Sequence, residues 1–179
     1  NKNNQQNLSY IFAVCKKLKI NKKNILKIIN NFHGLKFRQQ IIYNSKKLTI
    51  INDSKSTSFS STINLISSLN NVFWILGGLP KKGDKFKFNK NKNLNLKAFI
   101  YGRHKKFFIK NLKSKILFQT FKNLKDAFKK IILEIKNKKN KKKTTILFSP
   151  CSASFDTFRN FEERGEYFNY LVKKYKIKI

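Results

Sequence analysis

Acidic side chains are scarce in this 179-residue chain: eight Asp and Glu stand against 41 Lys and Arg, a formal charge of +33. Methionine is absent, Cys, Pro and His occur twice each, and Trp once. Each shortage excludes something. Cys15 and Cys151 lack CxxC spacing, so no disulfide framework is expected and a reducing compartment fits them. His33 and His104 are far apart and without ligand spacing, and read as a helix-end residue and a surface residue; no metal ligands are assigned. No apolar run approaches the ~20 residues of a membrane helix. The longest candidates are interrupted by Gly77 and Gly78 or by Pro150. Neither GxSxG nor GxxxxGK[ST] occurs, which removes the nucleophile elbow and the phosphate loop. With no methionine and Asn1 in first place, the sequence is expected to be part of a longer protein.

A charge this positive would ordinarily point to nucleic acid or an anionic membrane. The positive residues are nearly all lysine, however, with Arg38, Arg103, Arg159 and Arg164 the only arginines. Bidentate phosphate and guanine contacts favour Arg. The lysines are spread over every segment among abundant Asn and Ile, as codon drift toward A and T would produce. The run KNKKNKKK, Lys136 to Lys143, lies between an amphipathic helix and a core strand and reads as a solvated connection. Neither a specific nucleic-acid partner nor a membrane partner is expected.

Leu8, Ile11, Phe12, Cys15 and Leu18 recur at helical spacing, and Ile25, Ile28, Ile29 and Phe32 describe a second helix stopped by Gly34. The pattern then changes. KLTIIND, FWILGG, KAFIYG, KILFQ and TTILFSP read as short buried strands, most of them separated by helical stretches such as Leu124, Ala127, Phe128, Ile131 and Ile135. Strands alternating with helices imply an α/β fold with a mostly parallel, Rossmann-like sheet and helices on both faces. The expected division is residues 1–34 as the end of a preceding domain and 35–179 as the α/β domain.

Three loops follow strands and should open on one edge of the sheet, where open α/β folds bind ligands. Asn52 to Ser58, NDSKSTS, leads into a helix whose first N–H groups, with Lys55 beside them, suit a carboxylate or phosphate. Gly77 to Asp84, GGLPKKGD, combines glycines that admit a ligand to the backbone with Lys81 and Lys82. Ser149 to Gly165, SPCSASFDTFRNFEERG, crowds Asp156, Glu162, Glu163, Arg159 and Arg164 around a Ser-rich turn that leads into the helical spacing of Phe168, Leu171, Val172 and Tyr175. Hydroxyls, amides and lysines without clustered His or Cys describe a pocket for a small anionic substrate.

The last segment resembles SPACASFDxFxNFEERG, the C-terminal signature of the Mur ligases that add D-glutamate to UDP-N-acetylmuramoyl-L-alanine. Cys151 and Ser152 stand where Ala and Cys are usual. The resemblance runs through the chain in order. NNQQN at Asn3 to Asn7 is similar to HNxxN, GLKFR at Gly34 to Arg38 to GLPHR, NDSKST to NDSKAT, and GGLPKKGD to the GGxxK loop. Asn3 and Phe37 replace histidines of the family pattern.

What the resemblance implies is the C-terminal, amino-acid-binding domain of an ATP-dependent, amide-forming ligase, preceded by two helices of its central ATPase domain. Its substrates would be ATP, D-glutamate and UDP-N-acetylmuramoyl-L-alanine, with Mg²⁺ held mostly outside this chain. The family's ATP-side positions match Asn4, Asn7, Arg38 and Asp53. Its D-glutamate positions match Thr57, Lys81, Ser154, the backbone around Phe155, and Phe161, while Lys55 becomes the catalytic cation. A cytoplasmic monomer, inactive when reduced to this chain, goes with it. The rivals are a sister ligase using L-glutamate or extending a folate tail, which would change the last loop, and a basic nucleic-acid-binding module, which would gather aromatics and arginines on one face.

Overall fold

The structure is a computed structural model that describes residues 2–32, 34–88, 94–137 and 142–175, and the side chains of all of these but 2–5. His33 and positions 138–141 of the lysine run lie outside the described residues. The chain divides into two compact units, Asn1–Gly34 and Leu35–Ile179.

The first unit is a pair of helices, α1 (Lys2–Lys17) and α2 (Lys22–Asn31). Asn21 starts α2 by accepting the Lys23 N–H at 2.8 Å, which satisfies one of the donors that a helix start leaves over. The helix ends at Asn31 with Phe32 as its cap, ahead of Gly34 rather than at it. Among the described residues of this unit only Ile25 is a buried apolar side chain, and Leu18, Ile28 and Phe32 stay exposed. Both runs of helical spacing form helices, but Ile25 is the one buried apolar side chain their described residues supply.

The second unit runs β1 (Gln40–Asn44), β2 (Leu48–Asn52), α3 (Phe59–Ser67), β3 (Asn71–Gly77), β4 (Asn95–Tyr101), α4 (Lys105–Leu112), β5 (Leu117–Phe121), α5 (Leu124–Lys136), β6 (Thr144–Phe148) and α6 (Phe161–Lys174). The strand order is β1-β2-β6-β3-β4-β5. β1 pairs with β2 antiparallel and every other pairing is parallel. This is the expected α/β sheet with one strand more than the five apolar runs suggested. β1, QIIYN, is an edge strand with Ile41 exposed, and its short run Ile41 to Tyr43 is not among those five.

Both faces of the sheet are buried, and side chains sort between them with the two-residue period of a strand. Leu48, Ile50, Phe73, Ile75, Phe99, Ile146 and Phe148 join Phe128, Ile131, Phe168 and Leu171 of α5 and α6 on one face. Ile51, Trp74, Leu76, Ala98, Ile100 and Leu147 join Phe59, Ile66, Phe108 and Leu112 of α3 and α4 on the other. β6, the last strand in sequence, lies between β2 and β3. The carboxyl ends of β2, β6 and β3 are therefore adjacent and point the same way, which places the three loops side by side.

Candidate functional site

The loop after β2 turns back through Asp53. Its N–H donates to the Phe148 carbonyl at 2.7 Å, so β2 stays paired with β6 up to the loop itself. Asp53 is buried, and burial pushes its carboxyl up to about 6 against the opposing effects of the Ser149 hydroxyl, the Gln39 N–H and the charge of Arg38. Oδ1 accepts from Gln39 N at 3.0 Å and Oδ2 from Ser149 Oγ at 2.7 Å. Arg38 itself is exposed.

Lys55 extends over the face of Phe161, the first residue of α6, with Nζ 3.7 Å from the ring centroid. Ser54 Oγ donates to the Phe161 carbonyl at 2.8 Å, and Asn52 Nδ2 donates to the Gly165 carbonyl (2.9 Å) and to Asn169 Oδ1 (2.8 Å). The β2 loop is thereby fastened to the start of α6. The helix start after NDSKSTS takes a carboxylate, as its exposed N–H groups suggest, but a protein one. Asp84 Oδ2, at the far end of GGLPKKGD, accepts the Phe59 N–H at 2.8 Å, and the N-cap Ser58 makes no side-chain cap bond.

The loops after β3 and β6 are tied to each other through the backbone. Leu79 and Ala153 exchange N–H···O bonds of 3.0 and 2.9 Å. Ser152 Oγ donates to the Gly77 carbonyl at 2.7 Å. Gly78 takes φ +123, and a Cβ there would collide with Ser152 Oγ and sit 2.7 Å from the Ala153 carbonyl. Only glycine fits this position.

One side chain joins the β2 loop to the β6 loop. Arg164 is 1% exposed and uses all five of its N–H donors. Nε donates to Ser54 Oγ (3.1 Å), Nη1 to Ser152 Oγ (3.3 Å) and the Ala153 carbonyl (3.1 Å), and Nη2 to the carbonyls of Ser54 (2.7 Å) and Ser152 (2.9 Å). Asp156 lies near this guanidinium, and the charges of His104, Arg164 and Arg103 oppose the rise that burial gives its carboxyl. Sequence reasoning left Arg164 without a role. The signal it offered was an arginine beside glycine, one turn into a helix that follows a ligand loop.

Lys55, Thr57, Lys81, Ser154, Phe155 and Phe161 all lie on the three adjoining loops or at the α6 start. Ser154 is buried and Phe155 is 71% exposed. Thr57, Lys81 and Lys82 are exposed, and nothing in their surroundings sets Lys81 apart from Lys82. Asp53 and Arg38 lie at the β2 end of the same edge. Asn4 and Asn7 belong to α1 in the first unit; Asn7 is exposed, and the side chain of Asn4 lies outside the described residues. Among the described residues, no three His, Cys, Asp or Glu come together to hold a metal.

Set against known proteins, the chain matches no family model. It is 38% identical over 171 residues to a UDP-N-acetylmuramoylalanine–D-glutamate ligase of Wolbachia sp. subsp. Brugia malayi, covering 96% of this chain and 34% of the relative. Proteins of the same name from Rickettsia felis and Prochlorococcus marinus are 36% and 32% identical, over 96% and 98% of this chain and 38% of each relative. The chain spans little more than a third of the length of the curated relatives it matches.

Proposed function

The chain belongs to the Mur ligase family, and from that membership we propose that it is the carboxyl-terminal portion of a UDP-N-acetylmuramoyl-L-alanine:D-glutamate ligase. In this reading residues 1–34 close a central ATP-binding domain and residues 35–179 bind the amino acid. ATP phosphorylates the carboxylate of UDP-N-acetylmuramoyl-L-alanine. The amine of D-glutamate then attacks the acyl carbon, the C–N bond forms as phosphate leaves, and the nitrogen gives up its proton. The observation that carries the reading is that the three loops resembling the family's substrate motifs leave β2, β6 and β3, neighbouring parallel strands, with Arg164 binding the β2 loop to the β6 loop and the Leu79–Ala153 backbone pair binding the β6 loop to the β3 loop.

Such chemistry asks little covalent work of the protein and much positioning. Lys81 would pair with a carboxylate of the amino acid, Thr57 and Ser154 would supply hydroxyls, and Phe161 and the backbone around Phe155 would set its limits. The hold of Phe161 on Lys55 contributes only ~0.5–1 kcal/mol. A charge-assisted bond to a phosphoryl oxygen, at ~1.5–3 kcal/mol, would draw that ammonium off the ring. Lys55 is thus parked where a developing phosphate charge can take it. Asp53, Arg38, Asn4 and Asn7 would serve the nucleotide. Mg²⁺ would take its ligands from sequence beyond this chain. A cytoplasmic monomer goes with this reading, and among the described residues no helix is long and apolar enough to cross a membrane.

The test compares kcat/KM for D-glutamate in the full-length enzyme carrying Lys81→Ala, Lys82→Ala or Ser154→Ala, with ATP saturating. One lost charge-assisted hydrogen bond should reduce glutamate use at least ~10-fold at Lys81. A loss is also expected at Ser154, with Lys82→Ala near the parent. Equal behaviour of the two lysine variants removes Lys81 from the site.

A further inference from the structure

Five side chains from three separate segments form one unbroken chain of hydrogen bonds behind the loops. Ser149 Oγ lies 2.7 Å from Asp53 Oδ2 and 2.5 Å from Thr62 Oγ1. Thr62 Oγ1 lies 2.6 Å from Ser56 Oγ, and Ser56 Oγ 2.7 Å from Ser61 Oγ. The Cys151 thiol donates to Thr62 Oγ1 at 3.1 Å. Asp53, Ser149, Thr62 and Ser56 are each 5% exposed or less, so water does not interrupt the series.

A hydroxyl has one proton to give, so the direction of one link fixes the direction of the next. With Asp53 ionised, the proton of Ser149 must point to it. Ser149 Oγ then accepts from Thr62, and Thr62 accepts from Ser56; every link runs inward. With Asp53 protonated, its own O–H points to Ser149 and every link reverses. Ser149 donates to Thr62, Thr62 to Ser56, Ser56 to Ser61, and Ser61 to the Ser58 carbonyl, which lies 2.6 Å away. The far end of the series is the turn that carries Thr57. Its Ser56 carbonyl also accepts the Ser152 N–H at 3.3 Å, on the loop that carries Ser154.

We propose that Ser149 and Thr62 are positioning residues that relay the charge state of Asp53 to the Ser56–Ser58 turn. The charge at one end of the candidate site thereby sets hydrogen-bond directions at the other. The groups facing Asp53 are Arg38, ahead of β1, and the Cys151 thiol of the β6 loop, with Asp84 acting on that thiol from the β3 loop. Arg38 favours the inward setting. The proposal rests on the reading above for its meaning, since there Asp53 serves the nucleotide and Thr57 the amino acid, but the series itself is a property of the chain.

The test is an NMR pH titration of the 179-residue chain that follows the Asp53 carboxyl carbon and the backbone amides of Gln39, Ser56, Thr57 and Ser58. In the parent, the three turn amides should titrate with the midpoint of Asp53. Thr62→Val removes one hydroxyl from the middle of the series. It should abolish the titration of the turn amides while leaving that of Gln39, whose N–H is bonded to Asp53 directly. Thr62→Ser, which keeps the hydroxyl, should restore it. Turn amides that still follow Asp53 in Thr62→Val, or never follow it in the parent, overturn the relay. If Thr62→Val does not fold, Ser149→Ala cuts the first link and makes the same prediction. Should the relay pass and the full-length protein not use D-glutamate, the functional reading fails and the relay stands.

Discussion

The ring of Phe37 lies against the backbone of Gly165, so close that a Cβ on that glycine would sit 2.7 Å from Phe37 Cε1 and nearer still to Cδ1. Phe37 is 4% exposed, holds φ +60 and stands edge-on to Phe161 at 6.4 Å. The segment ahead of β1 is thus seated on α6 through a glycine one helical turn past Phe161. Gly165→Ala should destabilise the chain by roughly 1–3 kcal/mol through overpacking. Phe37→Leu in the same background should recover part of that loss. Additive effects of the two substitutions in urea melts would separate them and refute the packing account.

Arg164 and Arg159 sit five residues apart in sequence and should behave in opposite ways. Arg164→Lys cannot reproduce the planar fork and leaves the carbonyls of Ser54, Ser152 and Ala153 short of donors. The expected cost is roughly 3 kcal/mol. Arg159 has an 88% exposed side chain and one long ion pair with Glu163, so Arg159→Lys should stay within ~0.5 kcal/mol of the parent. Equilibrium denaturation of both variants checks this.

Asp53 gives the chain a pH dependence of unusual sign. Its carboxyl is raised from 3.8 to about 6, so between those values the folded chain binds more protons than the unfolded one. Stability contributed by this group falls as pH rises through that window and is level above it. At about 1.4 kcal/mol per pH unit, the change is roughly 3 kcal/mol. Asp156 is also raised by burial and acts in the same direction, so Asp53 must be isolated by difference. The stability of Asp53→Asn minus that of the parent should grow from pH 4 to pH 6 and then stay constant. A flat difference would contradict it.

The two thiols should differ sharply toward an alkylating reagent. Cys151 is buried, and burial pushes its thiol up to about 12 against the hydrogen bonds of Thr62 and Ser56. Only the thiolate reacts. In the folded chain at neutral pH one thiol, Cys15, which is partly exposed, should be modified, and both after denaturation. Mass spectrometry of the peptides identifies them, and modification of Cys151 in the folded chain would contradict its packing.

Much of this fold was legible because its central strands are buried on both faces and therefore read as continuous apolar runs. β1 was not, since only the three apolar residues Ile41 to Tyr43 mark it, between polar neighbours. The loops were legible from Gly, Ser and Asp after strands, where backbone geometry and capping restrict the choice of residue. What joins the loops was not. Arg164 reads as one more surface charge until tertiary structure encloses it. Thr62 reads as an ordinary helix residue, and only the packing of α3 on the sheet turns its hydroxyl toward Ser149. Asp84 looked like part of a turn, and the helix it caps begins 25 residues earlier in sequence. Local patterns report local restraints, and these three residues work across long separations.

The place of β6 also governs the order in which the chain can fold. Only 18 residues lie between β2 and β3 in sequence, yet the two do not pair, because the strand that separates them comes only at Thr144–Phe148. Until that segment is available, both present an unpaired inner edge flanked by apolar side chains, the kind of edge on which other chains can add. During synthesis the edge of β2 waits from Asn52 to Thr144 and that of β3 from Gly77 to Thr144, and closing the sheet over so long a separation is intrinsically slow. Like charge opposes such addition, because chains carrying a formal +33 repel one another.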